Sequence, residues 1–236
     1  MALLDELSKN VDDIINQEWN IRDGQVVPST ENVVLAGGAV KLNVTMLYAD
    51  LADSTDLAMN YDKRITAKVF KSFLSCSTRL IKEADGQVRS FDGDRVMGVF
   101  IGNTKNTSAV KCALKINHAF IHTIKPKIES KYPLLKTGSY KLAHCVGVDT
   151  SEILVVRSGV RNDNDLVWIG RAPNIAAKLS GRRNSPYHTY ITSTVFDSLA
   201  KEGKYASDGK LMWEKLDVKN GEKGITVYRS NYSWKP

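Results

Sequence analysis

The sequence predicts an α/β (α+β) domain of the ferredoxin-like, split βαβ kind, preceded by an amphipathic helix. Three observations carry that expectation. Apolar residues switch between a two-residue and a near-3.6-residue period along residues 40–157, a glycine turn joins two β-rich runs midway, and the resulting order is strand, helix, strand, strand, helix, strand.

In chain order, residues 3–19 set Leu3, Leu4, Leu7, Val11, Ile14, Ile15 and Trp19 near helical spacing between acids and Lys9. That apolar stripe needs a partner, either the domain's own surface or the same helix of another subunit. Residues 23–38 hold Gly24, Pro28, Ser29, Thr30 and a Gly-Gly pair, a linker composition, so residues 1–38 are expected to be helix and linker and 39–236 the domain proper. Residues 40–49 read as a strand with Leu42, Val44, Met46 and Tyr48 on one face, and 61–83 as a helix carrying Ile65, Val69, Phe73 and Leu80. Gln87–Phe91 and Arg95–Ile101 form a hairpin around Asp92-Gly93-Asp94, where Gly93 supplies the positive φ of a tight turn. A helix over about 105–124 is followed by strands near 139–148 and 151–157 and then a polar loop, RSGVRNDNDL. Residues 170–182 and 193–201 read as helices, 210–216 and 225–230 as strands.

Composition narrows the classes. With 42% hydrophobic and 25% charged residues and no apolar run of membrane-span length, the chain reads as an ordinary soluble protein without a membrane segment. Asp5 and Glu6 stand where a secretory signal needs a basic start, and Cys76, Cys112 and Cys145 form no C-x-x-C pair, so a cytoplasmic protein with reduced thiols is expected. The net charge of +7 suits a polyanionic small molecule as well as a nucleic acid, but the basic residues are dispersed apart from Arg182-Arg183 and do not interleave with aromatics, so no nucleic-acid partner is expected.

Two carboxylates draw the chemistry together. Asp50 ends an apolar strand and is followed by Leu51-Ala52-Asp53-Ser54-Thr55, small and hydroxyl residues leading into a helix whose first N–H groups suit phosphate oxygens. Asp94 lies in the hairpin turn, and in a split βαβ sheet that hairpin adjoins the first strand, so the two acids can share a pair of divalent cations for an in-line displacement. Taken singly, each acid reads more readily as a helix cap or a turn residue than as a metal ligand.

Three segments resemble motifs of the class III nucleotidyl cyclases. VTMLYADLADST resembles their first metal motif, FDGDRVMGVF the second, and WIGRAPNIAAKLSGR the helix bearing the ribose-binding Asn; they stand in the family's order and the likeness spans about residues 40–230. The resemblance implies a class III cyclase domain in which Asp50, Asp94 and the Leu51 carbonyl hold two Mn2+ or Mg2+ ions. Ser54 and Thr55 then contact the phosphates, Asn174 orients the ribose, and Lys178 stabilises the pentavalent transition state. The family usually has arginine at the last position; Lys178 supplies the charge without the planar fork, and its i,i+4 spacing from Asn174 puts both on one helix face. Lys223, in EKGITVYRS, resembles a late lysine that contacts the triphosphate. The family also implies a homodimer with shared sites, the metal acids from one subunit and Asn174 and Lys178 from the other.

The purine readers of the family are missing. Adenylyl cyclases place a lysine and an aspartate where this chain has Ser90 and Val167, and the guanylyl pair, a glutamate and a cysteine or similar small residue, is absent too. Nearby stand Tyr48, on the face of Asp50 by the strand period, and Arg89, able to donate to a pyrimidine carbonyl. The chain thus resembles the pyrimidine cyclases of Pycsar antiphage systems, which implies a UTP substrate in preference to CTP, a cyclic monophosphate product, and a downstream cyclic-nucleotide-sensing effector. A purine cyclase and an inactive nucleotide-binding domain are the alternatives.

Overall fold

Helix and strand follow one another in the expected order through the centre of the chain. The computed structural model describes residues 2–220 and 223–236, with the side chains of Asn220 and Lys223 outside that description. Helix α1 (Leu3–Ile15), strand β1 (Asn20–Asp23) and a 3-10 turn (Thr30–Asn32) lead to β2 (Gly38–Leu51). Helices α2 (Ser54–Asn60) and α3 (Lys63–Glu83) precede the hairpin β3 (Gln87–Asp92) and β4 (Arg95–Phe100). Helix α4 (Lys105–Ala119) continues through a π-helical turn (Phe120–Ile124) into α5 (Lys125–Lys131), and α6 (Leu134–Thr137) follows. The chain ends with β5 (His144–Val160), β6 (Asp163–Gly170), α7 (Arg171–Ser180), β7 (Thr189–Thr192), α8 (Ser193–Asp197), α9 (Lys201–Lys204), β8 (Glu214–Asn220) and β9 (Lys223–Ser230).

By internal contacts the chain forms two compact units, residues 43–151 with 171–236, and residues 1–42 with 152–170. In the larger unit the strands run in the order β3-β4-β2-β5-β7-β9-β8. The first four of these are the ferredoxin-like arrangement, with the hairpin beside the first strand. Helix α3 turns Val69, Phe73 and Ile81 inward, and α4 adds Ala113, Leu114 and Ile116, against Leu47, Ala49, Val96 and Phe100 of the sheet. Each large aliphatic or aromatic side chain so buried contributes about 1.5–3 kcal/mol. Helix α7 crosses from β5 to the parallel strand β7, packing Ile175 and Leu179 with Cys145 and Tyr190. Gly147 permits that approach: a Cβ there would meet the Ala176 carbonyl oxygen at 2.2 Å and the Ser180 nitrogen at 2.5 Å.

In the smaller unit β1 pairs in parallel with the start of β2, Asn20 opposite Gly38, and the end of β5 pairs antiparallel with β6 from Ile153–Gly170 to Val160–Asp163. Helix α1 buries none of its residues, and its stripe stays open, with Leu7, Val11 and Ile14 each more than half exposed.

Several expectations are corrected. The N-terminal helix stops at Ile15 rather than Trp19, and Asn20–Asp23 is a strand that reaches into the segment read as linker. Residues 61–83 begin their helix at Lys63, after a separate turn of helix, because Asp62 caps α3 by accepting from the Arg64 N–H at 2.8 Å. The first strand buries both faces, Leu47, Ala49 and Leu51 as well as Leu42, Val44 and Met46. The two strands at 139–148 and 151–157 are one, and the polar loop RSGVRNDNDL is a hairpin: Gly159 and Asn162 take positive φ, and Asp163–Leu166 pair with Arg157–Val160. Residues 193–201 split into two short helices, the strand expected at 210–216 begins at Glu214, and β7, four buried residues, went unread.

Candidate active site

The end of β2 turns sharply. Asp50 and Leu51 are its last residues, the Ala52 N–H donates to the Ala143 carbonyl at 2.8 Å, and Asp53 takes φ 52° before α2 begins. The Tyr140 hydroxyl donates to the Ala52 carbonyl at 2.9 Å and so fixes the turn from the other side. Beside it, the β3–β4 hairpin closes through Gly93, with φ 61°, and Asp94. Positive φ at the first central residue alone is the pattern of a type II′ turn.

Because β2 and β4 are antiparallel neighbours with Ala49 opposite Val96, Asp50 and the Asp94 turn come to the same end of the sheet. A cleft of about 470 Å3 results, lined by Asp50, Leu51, Asp53, Ser54, Thr55 and the turn residues Asp92 to Arg95, with Arg183 at its side. Burial first, and the negative charge of Asp94 second, push the Asp50 carboxyl above its ordinary value, while Arg183 opposes both. The buried Oδ2 of Asp94 has no protein hydrogen-bond partner. Two carboxylates that repel one another, an orphaned carboxylate oxygen and a main-chain carbonyl form a hard, all-oxygen donor set, which fits Mg2+ or Mn2+. Among the described residues no cluster of three or more His, Cys, Asp or Glu side chains is placed to hold a metal ion.

The cations of the cleft, Arg95 and Arg183, escaped the sequence reading as site residues. Arg183 Nη2 donates to Asp50 Oδ2 at 3.2 Å and to the Leu51 carbonyl at 3.3 Å, and its Nε lies 3.6 Å from Asp53. Its signal was the Arg182-Arg183 pair, visible in the sequence only as the densest basic patch. Arg95 pairs with Asp92 and lays its guanidinium 5.6 Å from the centroid of the Tyr48 ring. Tyr48 is half-buried, and its hydroxyl donates to the Met97 sulfur at 2.8 Å. Tyr48, Met97 and Ser90 form one cross-strand row. Arg89 is the extra residue of a β-bulge, since the register passes from Val88–Gly98 to Ser90–Met97; such bulges re-aim side chains near sites.

Asn174 and Lys178 share the exposed face of α7, whose opposite face buries Ala172, Ile175, Ala176 and Leu179. Among the described residues they are not part of the cleft lining. The Lys223 side chain lies outside the described residues. The structure therefore brings together Asp50, Leu51, Asp94, Ser54 and Thr55, and sets Tyr48 on the strand face beside them.

No protein-family model matches the sequence. Curated relatives do: a uridylate cyclase of Rhodovulum sp. (strain MB263) is 46% identical, the alignment covering 100% of this chain and 99% of the relative, and a uridylate cyclase of Burkholderia cepacia is 42% identical over 99% of each. Among solved structures, the guanylyl cyclase Cya2 superposes with a TM-score of 0.66 at 16% identity, over 83% of this chain and 95% of that one, a likeness of fold.

Proposed function

This chain belongs to the uridylate cyclases, a group with the class III cyclase fold, and from that premise we propose that it converts UTP into 3',5'-cyclic UMP and pyrophosphate. In that reaction the ribose 3'-oxygen forms a bond to the α-phosphorus, the bond from that phosphorus to the β-phosphate oxygen breaks, and the hydroxyl proton leaves to solvent. The observation that carries the reading is the meeting of Asp50, the Leu51 carbonyl and Asp94 in one cleft. These groups would hold two Mg2+ or Mn2+ ions, which, when bound, acidify the attacking hydroxyl and neutralise the leaving pyrophosphate. Ser54 and Thr55 line the same cleft at the start of α2 and would donate to phosphate oxygens. Tyr48, packed under the Arg95 guanidinium, narrows the base pocket, and Arg89 on its bulge supplies a donor for a pyrimidine carbonyl.

Asn174 and Lys178 complete the chemistry from a second copy of the chain, orienting the ribose and stabilising the charge on the α-phosphoryl group. Their place on an exposed helix face, outside the cleft lining of their own chain, supports a homodimer with two shared sites. No described helix is long and apolar enough to cross a membrane, and the three cysteines are free thiols, which favours a cytoplasmic enzyme. Its product would act on a cyclic-nucleotide-sensing effector in antiphage defence.

Purified protein given Mn2+ and each of the four ribonucleoside triphosphates should release cyclic UMP fastest; a strong preference for ATP or GTP overturns the pyrimidine reading, and faster turnover of CTP reassigns the base. Asp50→Ala and Asp94→Ala should each lower the rate by about a hundredfold or more, several kcal/mol of transition-state stabilisation. Undiminished turnover in either variant refutes the metal assignment.

A further inference from the structure

Arg183 holds the oxygens that a metal ion would need. Its Nη2 rests on Asp50 Oδ2 and the Leu51 carbonyl, while Nη1 donates to the Ser180 carbonyl at 2.9 Å and the Arg182 carbonyl at 3.1 Å. The guanidinium is therefore divided in function. One nitrogen is anchored to main-chain oxygens at and just beyond the end of α7, where the helix dipole favours a cation, and the other reaches into the cleft.

We propose that Arg183 is an exchangeable counter-ion: it neutralises Asp50 in the resting cleft, yields those oxygens to a divalent ion, and then binds the terminal phosphates that become the leaving pyrophosphate. The inference rests on the metal reading of Asp50 and Asp94. A dication at Asp50 Oδ2 and the Leu51 carbonyl cannot share them with a guanidinium nitrogen some 3 Å away, because like charges at that distance repel strongly in a partly buried site. The anchored Nη1 keeps the side chain at the cleft, so displacement is a pivot rather than a departure. The groups of opposite charge that a loaded cleft adds are phosphate oxygens, and a planar guanidinium pairs with these through two parallel bonds. The other arginine of the lining is engaged already, Arg95 with Asp92. Arg183 thus becomes a residue of the site that touches substrate, from the same chain as the metal acids.

The proposal predicts opposite signs for two ligands. In Arg183→Met, Mn2+ alone, titrated by electron paramagnetic resonance, should bind roughly threefold or more tightly than to wild type, since no internal cation competes for the carboxylate. Inorganic pyrophosphate, titrated calorimetrically with Mn2+ saturating, should bind roughly tenfold more weakly through loss of a charge-assisted pair. Arg183→Lys, which keeps the charge but cannot span Ser180 and Asp50, should show both signs at smaller size and carries the test if the methionine variant does not fold. Unchanged or weaker Mn2+ binding, or unchanged pyrophosphate binding, in a folded variant overturns the proposal. Asp50→Ala is the control: if it loses Mn2+ while the Arg183 variants match wild type, this inference alone fails; if it binds Mn2+ as wild type does, the metal reading fails and this inference with it.

Discussion

His144 is buried among Phe120 and His188, ring centroids 4.2 and 5.1 Å away, and neither of its ring nitrogens has a protein hydrogen-bond partner. Burial holds it neutral, its pKa well below the ordinary 6.5, and the neighbouring His188 works in the same direction. The unfolded chain therefore binds more protons than the folded one as pH falls through 6.5, so this contribution to stability is intact above that value and is lost on acidification until the folded-state pKa is reached. Urea midpoints should fall from pH 7 to pH 5, with His144 contributing up to about 1.4 kcal/mol per pH unit. In His144→Phe that slope should be shallower; an identical slope in the variant means that the imidazole is not what titrates. At this scale Asp50 and Asp94 were legible in the sequence, because a strand end and a glycine turn fix where their side chains lie. Arg183 was not, since its meeting with Asp50 spans 133 positions and depends on how the chain returns after α7.

Helix α7 owes its position to a single missing side chain. A methyl at Gly147 would overlap backbone atoms of Ala176 and Ser180, which cannot rotate aside as a flexible side chain would. Gly147→Ala should destabilise the fold by about 1–3 kcal/mol, read as a lowered denaturant midpoint. If Asn174 and Lys178 act as proposed, it should also cut cyclase activity by more than the loss of folded protein explains, because both ride on the displaced helix. Full activity per folded molecule would show that α7 needs no fixed height above β5. Elements with a strong period, such as α3 and the β3–β4 hairpin, were readable in advance. The β5–β6 hairpin was not, because its outer strand carries Asp163, Asn164 and Asp165, polar residues that suit a strand with one face in solvent as well as they suit a loop. Strand β7 was missed for the opposite reason: four buried residues, Thr189–Thr192, are too few to show a period.

For the molecule as a whole, the proposed division of labour between copies is the point most open to test. If each site takes Asp50 and Asp94 from one chain and Lys178 from its partner, then Asp50→Ala and Lys178→Ala damage different halves. A mixed dimer holds one site with both defects and one with neither. Random pairing of equal amounts makes half the dimers mixed, so the mixture should recover about a quarter of wild-type specific activity, although each variant alone is nearly inactive. A double variant carrying both substitutions, mixed with wild type, supplies the contrast: each mixed dimer then has two damaged sites, and activity should fall below simple dilution. If the Asp50→Ala and Lys178→Ala chains, mixed under conditions that exchange subunits, give no more than the average of their separate rates, the sites are not shared. Lys178 would then be a residue of an exposed helix face, and the groups that stabilise the α-phosphoryl charge would have to be sought within the cleft's own lining, with Arg183 first among them.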